Sequence, residues 1–282
     1  MFFTETTTTN GMIRNFLIIL GILLLVPSAN AIVPAKYLGE KLALDATIAS
    51  YTKLINSNRY HGSDLAQLYW QRGRQFTNLR RFEEANQDLS SAIGLKPNYI
   101  NAYLLRASVR ATLQKYKGAY QDYARVLKID PNNLNVFKFR GALNFVLGKF
   151  ADAVNDYKLY LRIKPDDLYR IIWLYLSETY NDRKANSSIN QYIKGVNLDP
   201  WPGALIKLYV GDITFDDLQK AFRTNQLNMN AGHACEAYFY LGQYFLLNND
   251  RASAKEYFAK AIKTQATDYI EYKFSLAFIE KL

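Results

Sequence analysis

The sequence predicts an all-α fold of stacked helix hairpins, and three observations lead to this prediction. Prolines recur every 34 residues, at Pro97, Pro131 and Pro165. The windows 66–99, 100–133 and 134–167 align on one another at many further positions. Aromatic residues make up 15% of the 282 residues, and many of them fall at fixed positions of these windows. With 49% hydrophobic and 21% charged residues, the composition is that of a globular chain.

The aligned positions follow a packing rule. Small residues stand at the eighth and twentieth positions: Gly73, Ala107, Gly141, Ala85, Ala119 and Ala153. Aromatic residues or leucine stand at the fourth, seventeenth and twenty-fourth. Helices that cross closely need small residues at the crossing, and large side chains fill the gap between neighbouring repeats. This is the tetratricopeptide repeat (TPR) pattern, which predicts a right-handed helical-hairpin solenoid with a fourth, proline-free copy from Tyr238 to Ala261.

An arginine and an aspartate also repeat, at the seventh and twenty-third positions. The three pairs are Arg72 with Asp88, Arg106 with Asp122, and Arg140 with Asp156. In the fourth copy both positions change together, to Leu241 and Tyr257. We expect each pair to form a structural ion pair between the two helices of a repeat. A ligand-binding ladder of arginines is the alternative.

The chain begins with a segment that has the layout of a secretory signal. An apolar run at residues 16–26 follows Arg14 and precedes small residues that end at Ala31. The run is shorter than the roughly 20 apolar residues that a spanning helix needs. We expect a cleavable signal at 1–31, with cleavage after Ala31. An uncleaved N-terminal anchor is the alternative, and Met12 is an alternative start.

The rest of the chain is predicted to form one continuous superhelix from about residue 38. Its parts are an N-terminal helix at 38–63, three repeats at 64–167, a non-standard helical segment at 168–233, and a fourth repeat with a C-terminal capping helix at 234–282. Residues 199–203 break the pattern, and Thr214 with Asp217 resembles a capping box.

The N-terminal helix carries an apolar stripe that needs a cover. Leu44, Ile48, Tyr51 and Ile55 follow a helical spacing. Either the first repeat covers this stripe, or a second copy of the chain does.

The concave surface of the stacked repeats is the candidate binding site. Positions 2, 5, 9 and 12 of the first helices are expected to face it, and the mixture of amides, small residues and apolar groups there suits an extended peptide. The candidate groove residues are Gln67, Trp70, Arg74, Asn101, Leu104, Ser108, Asn135, Lys138 and Phe145.

The sequence contains no recognisable catalytic motif. There is no Gly-x-Ser-x-Gly, no phosphate-binding glycine loop and no His-Glu-x-x-His, and two histidines with one cysteine do not suffice for a metal site. We expect Cys235 to be a buried packing residue. The prediction is a protein without catalytic residues, metal or cofactor.

The net charge of +10 is concentrated in the repeats. Between Arg72 and Arg140 there are 13 Lys and Arg residues against 5 Asp and Glu residues. The excess indicates either a solvated helical face or a surface for an acidic partner. Nucleic acid is not expected as a partner of an exported protein.

Beyond the repeats, the chain resembles the NlpI family of TPR lipoproteins of the Gram-negative outer membrane. The resemblance covers about residues 38–281 and lies in three off-register segments, which start at Trp173, Leu208 and Phe239. It implies a periplasmic, homodimeric adaptor that docks peptidoglycan hydrolases and a C-terminal processing protease. That family is anchored by a lipidated cysteine after its signal, whereas this chain has Ala31-Ile32, so membrane association would need another means.

The expected function is therefore a non-enzymatic scaffold for cell-wall remodelling. A TPR scaffold of a secretion, pilus or host-contact apparatus is the alternative, because the same signal and repeats would serve there.

Overall fold

A computed structural model describes residues 35–182, 188–224, 230–266, 269–280 and 282, with side chains from residue 41 onward. These residues form fourteen α-helices, and no β-strand occurs among them. The predicted all-α class of TPR-type helix hairpins is confirmed. The predicted signal at 1–31 lies outside the described residues. Within the described part, no helix combines the length and apolar character that crossing a membrane requires.

The described chain falls into two compact units, 35–143 and 144–282. The first unit contains five helices and most of a sixth: α1 (Ala35–Ile55), α2 (Gly62–Asn78), α3 (Phe82–Leu95), α4 (Ile100–Thr112), α5 (Tyr116–Ile129) and the start of α6 (Leu134–Val146). From α1 to α5 each helix packs on the next one, and α2 also contacts α4. These are the helix–helix contacts expected of stacked hairpins.

Small residues lie where the helices of this unit cross closely, as the repeat predicts. Ala85 and Ala119, at the twentieth position, are completely buried. At the eighth position, a Cβ added to Gly73 would lie 3.1 Å from Leu89 Cγ and 3.3 Å from Asp88 Cβ. Contacts that tight leave little room for a larger residue where α2 crosses α3.

The N-terminal helix is covered by the first repeat. Helix α1 ends at Ile55, before the predicted limit at residue 63. Ile48 joins the buried core that contains Ala66 and Phe76, and Thr52 Oγ1 accepts a hydrogen bond from Arg72. The apolar stripe thus has a partner within the same chain. Of the two covers that the sequence left open, the structure shows the first repeat, because α2 packs against α1.

The second unit begins in the last residues of α6 and contains eight further helices. These are α7 (Phe150–Ile163), α8 (Leu168–Asn181), α9 (Ile189–Ile193), α10 (Gly203–Val210), α11 (Phe215–Arg223), α12 (Ala231–Leu247), α13 (Arg251–Lys263) and α14 (Ile270–Ile279). Helices α12 and α13 form the fourth repeat, and α14 packs on both, as expected of a capping helix. At the eighth position of this repeat, a Cβ on Gly242 would lie only 2.5 Å from Phe258 Cε1.

The non-standard segment follows its local sequence signals. Residues 199–202 are non-helical, as the break at Asp199-Pro200-Trp201-Pro202-Gly203 predicts. Thr214 and Asp217 form the expected capping box at the start of α11, because the Thr214 side chain accepts from Asp217 N (3.1 Å) and Asp217 accepts from Thr214 N (2.9 Å).

Candidate functional site

Two of the repeated arginines make forked ion pairs inside the first unit. Arg72 donates from Nε and Nη2 to Asp88 at 2.7 and 2.8 Å. Arg106 makes the same fork with Asp122, at 3.0 and 2.7 Å. Hydrogen bonding to Asp88 raises the pKa of Arg72 above its ordinary value. Both arginines therefore join the two helices of their own repeat.

Each of these arginines also donates a hydrogen bond to a side chain of the preceding helix. The repeat pattern did not predict this contact. Arg72 Nη1 donates to Thr52 Oγ1 of α1 at 2.9 Å, and Arg106 Nη1 donates to Ser90 Oγ of α3 at 3.0 Å. The arginines thus link consecutive hairpins as well. Three donors of each guanidinium are thus engaged inside the protein, which favours a structural role for Arg72 and Arg106 over a ligand-binding one.

Asp122 also pairs with a second arginine, Arg110, which the repeat pattern did not indicate. Arg110 Nη1 lies 2.9 Å from Asp122 Oδ2, and its Nε lies 3.2 Å from Asn86 Oδ1. Burial lowers the pKa of Arg110, with Asp122 opposing that effect. Asp88 has no second cation of this kind among the described residues.

The residues of the third predicted pair lie in different units. Arg140 is half-buried in the first. Asp156 is buried in the second, where it accepts a hydrogen bond from Asn144 Nδ2 at 3.0 Å. Their pairing stays a prediction.

Most predicted groove residues of the first unit are exposed. These are the polar side chains Gln67, Arg74, Asn101, Ser108, Asn135 and Lys138. Trp70 is half-buried, whereas Leu104 is buried with 8% exposure. Helices α2 and α4, which contact each other, thus present a polar face with one large ring in it.

Trp70 is the centre of a small cationic and aromatic cluster. The guanidinium carbon of Arg74 lies 5.2 Å from the Trp70 ring centroid, and the Tyr99 ring lies 5.9 Å away. Tyr99 donates to Gln67 Oε1, and Lys96 Nζ lies 4.9 Å from the Tyr99 ring. Trp70 Nε1 is buried and has no partner among the described residues. Two cations on ring faces make this cluster suited to an acidic or polar peptide segment.

Phe145 does not belong to the groove surface, so this part of the prediction is wrong. It is 1% exposed, and its ring lies 5.3 Å from Phe150, 5.0 Å from Trp173 and 5.7 Å from Tyr180. The position is inward-facing in the repeat pattern, but the off-register helix α8 supplies rings that bury it.

The basic excess of the first unit is partly neutralised by carboxylates. Five of its cations lie within ion-pair distance of an Asp or Glu: Arg72, Arg81, Arg106, Arg110 and Lys115. Arg74 has no carboxylate partner among the described residues and lies exposed over Trp70. The patch available to an acidic partner is therefore smaller than the sequence count of 13 cations indicates.

The lone cysteine lies in the core. Cys235 is completely buried, and burial raises the pKa of its thiol. His233 is half-buried, with its ring 5.7 Å from that of Trp201. In the part of the chain that the structure describes, no three His, Cys, Asp or Glu side chains are grouped as a metal site would require.

Comparison with known proteins identifies the repeats. A family model described as tetratricopeptide repeat matches residues 100–133 and 236–268. A TPR protein from Parabacteroides merdae superposes with a TM-score of 0.53 at 15% identity, over 96% of this chain and 98% of that one. MamA aligns with a TM-score of 0.48 at 16% identity, over 55% of this chain and 87% of that one. PilF of Pseudomonas aeruginosa aligns with a TM-score of 0.45 at 19% identity, over 75% and 96%. The chain therefore contains tetratricopeptide repeats, one matched in each unit.

Proposed function

We propose that this protein is an exported, non-enzymatic adaptor that binds partner proteins on the exposed faces of α2, α4 and the start of α6. The TPR fold is suited to protein–protein interaction. The observation that carries the proposal is the cluster at Trp70, where Arg74 stays exposed over the ring while Arg72 is engaged inside the protein. A partner segment with acidic and polar side chains complements that face.

The partners that we propose are peptidoglycan hydrolases and a C-terminal processing protease. The support is the signal-like segment at 1–31 and the resemblance of the off-register segments to the NlpI family. Cleavage after Ala31 would release the protein into the periplasm. N-terminal sequencing of protein from the periplasmic fraction tests this location, because a retained anchor would leave the first 31 residues attached.

A homodimer is part of the same proposal, and its interface would have to lie elsewhere than on the stripe of α1. Ile48 of that stripe is buried against α2 within one chain. Light scattering of the purified protein gives the mass directly, and a monomer at micromolar concentration would remove the dimer from the proposal.

Capture from the native envelope tests the adaptor function. The double variant Arg74→Glu with Lys138→Glu reverses two exposed charges of the groove face, and Arg223→Glu with Lys255→Glu reverses two exposed charges in the second unit as a control. At about 1 kcal/mol for each charge, about 2 kcal/mol in all, the groove variant should bind hydrolase or protease about thirtyfold more weakly, and the control should match the wild type. Equal capture by the groove variant would place the site elsewhere.

The same experiment separates the alternative function. Mass spectrometry of the captured proteins distinguishes cell-wall enzymes from secretion, pilus or host-contact components. Purified protein that hydrolyses peptidoglycan by itself would overturn the non-enzymatic part of the proposal.

A further inference from the structure

A cavity of about 930 Å³ opens on the second unit. One wall is the turn that precedes α8, with Asp166 and Asp167. The other wall is the segment between α9 and α10, which ends at Trp201 and Pro202. Tyr169 and Tyr192 also line it. The cavity thus combines three aromatic rings with two carboxylates.

A buried carboxylate holds two of these rings in place. Glu236 of α12 is 7% exposed, and its Oε2 accepts from Tyr169 Oη at 3.0 Å and from Trp201 Nε1 at 2.7 Å. Because their polar hydrogens point to Glu236, Tyr169 and Trp201 contribute ring carbons to the cavity. The Tyr169 hydroxyl and the Trp201 indole N–H are therefore not available as donors to a ligand, and these two residues contribute apolar aromatic surface.

The acidic wall is fixed by hydrogen bonds that leave one carboxylate unused. Asp167 caps α8 by accepting from Arg170 N at 3.0 Å, and it accepts from Tyr160 Oη at 2.8 Å. Asp166, beside it, is exposed, and no hydrogen-bond or ion-pair partner for it occurs among the described residues. The lining of the cavity therefore includes a carboxylate acceptor, Asp166, that no described residue uses.

A glycine holds the segment between α9 and α10 close to α10. A Cβ added to Gly203 would lie 2.0 Å from the carbonyl oxygen of Leu198. Gly203 N donates to Pro200 O at 2.8 Å, and Lys207 Nζ lies 3.2 Å from Asp199 Oδ1. Only a residue without a side chain fits this close approach.

We propose that this cavity binds an arginine side chain of a partner polypeptide. A guanidinium stacks on aromatic faces, pairs with a carboxylate in a forked geometry and has an apolar stem that packs on ring carbons. The charge of the surroundings permits this, since residues 144–282 contain 17 Lys and Arg against 16 Asp and Glu. The lining includes one cation, Lys194, whose side chain is exposed and opposes binding.

The test uses two peptides that differ in one charge. The probes are acetyl-Gly-Ser-Arg-Ser-Gly and the same peptide with citrulline, the neutral isostere of arginine. The readout is the indole N–H signal of Trp201 in the purified protein, assigned with Trp201→Phe. The arginine peptide should shift this signal with a dissociation constant at least about tenfold lower than that of the citrulline peptide.

Three variants separate the electrostatic part from folding. Asp166→Asn should weaken arginine-peptide binding about fivefold, and Lys194→Gln should strengthen it about twofold. Asp216→Asn is the matched control, because Asp216 is also an exposed aspartate at the start of a helix, away from the cavity. It should leave the dissociation constant unchanged.

Several results would overturn the proposal. Equal binding of the two peptides would show that charge is not recognised. Tighter binding of chitotriose than of the arginine peptide would make the cavity a glycan site. No shift of the Trp201 signal with either peptide at about 10 mM would exclude an arginine site of useful affinity.

Discussion

Replacing Arg72 by leucine should destabilise the first unit more than replacing Arg106 by leucine. Both arginines make the same fork, and both aspartates are buried, with side chains 7% exposed at Asp88 and 3% exposed at Asp122. The two sites differ in what remains after the substitution. Asp122 keeps Arg110 at 2.9 Å, whereas Asp88 retains no cation among the described residues.

The expected magnitudes follow from this difference. Removing one partner of a buried ion pair costs about 3–5 kcal/mol, since the other charge is left buried and unpaired. We expect that loss for Arg72→Leu. One remaining hydrogen bond between charged groups is worth about 1.5–3 kcal/mol, so Arg106→Leu should lose only about 1–3 kcal/mol. Replacing Arg72 and Asp88 together by leucine should restore most of the loss, because no charge is stranded.

Urea unfolding followed by far-UV circular dichroism measures these differences as changes in the extrapolated free energy of unfolding. A single Arg72→Leu variant as stable as the wild type would refute the structural role of the pair. Arg106→Leu at least as damaging as Arg72→Leu would refute the compensating role of Arg110. A double variant no more stable than Arg72→Leu alone would show that packing, and not a stranded charge, causes the loss.

Two further predictions concern the second unit. Burial raises the pKa of Glu271 to about 7, and the nearby charge of Glu236 adds to this shift. The contribution of protonated Glu271 to stability is therefore complete below about pH 4.5 and is lost as the pH rises through 7. The loss is about 3 kcal/mol, and a pH series of unfolding free energies should show it in the wild type but not in Glu271→Gln. Gly242→Ala should lower the unfolding free energy by about 1–3 kcal/mol, because its Cβ would meet the Phe258 ring. Gly94→Ala, in α3 with no heavy atom within 4 Å of the added Cβ, should be neutral or stabilising; equal losses in both would contradict the packing argument.

The repeated part of the fold could be predicted from the sequence because a fixed period places each residue type in the same contact. Ala85, Ala119 and Ala153 are completely buried, as the twentieth position requires. The capping box at Thr214 was equally predictable, since it depends on residues three apart. In both cases the signal and the contact lie within one repeat or one helix turn.

Contacts of long sequence separation could not be predicted in this way. Glu236 holds Tyr169 and Trp201, which lie 67 and 35 residues earlier in the chain. Phe145 follows the groove pattern, but Trp173, outside the repeats, covers it. No period relates these residues, so only the folded chain shows that they meet.

The two candidate surfaces have opposite charge preferences, which gives a way to decide how a partner uses them. Arg74 and Lys138 favour an acidic segment, and Asp166 favours an arginine. If one partner binds both surfaces at once, the groove variant and the cavity variant should each weaken its binding. The combined variant should then weaken binding by the product of the two fold-changes. A partner that uses one surface would respond to one set of variants and be indifferent to the other. The combined variant therefore tells whether this scaffold holds one partner at two sites or two different partners.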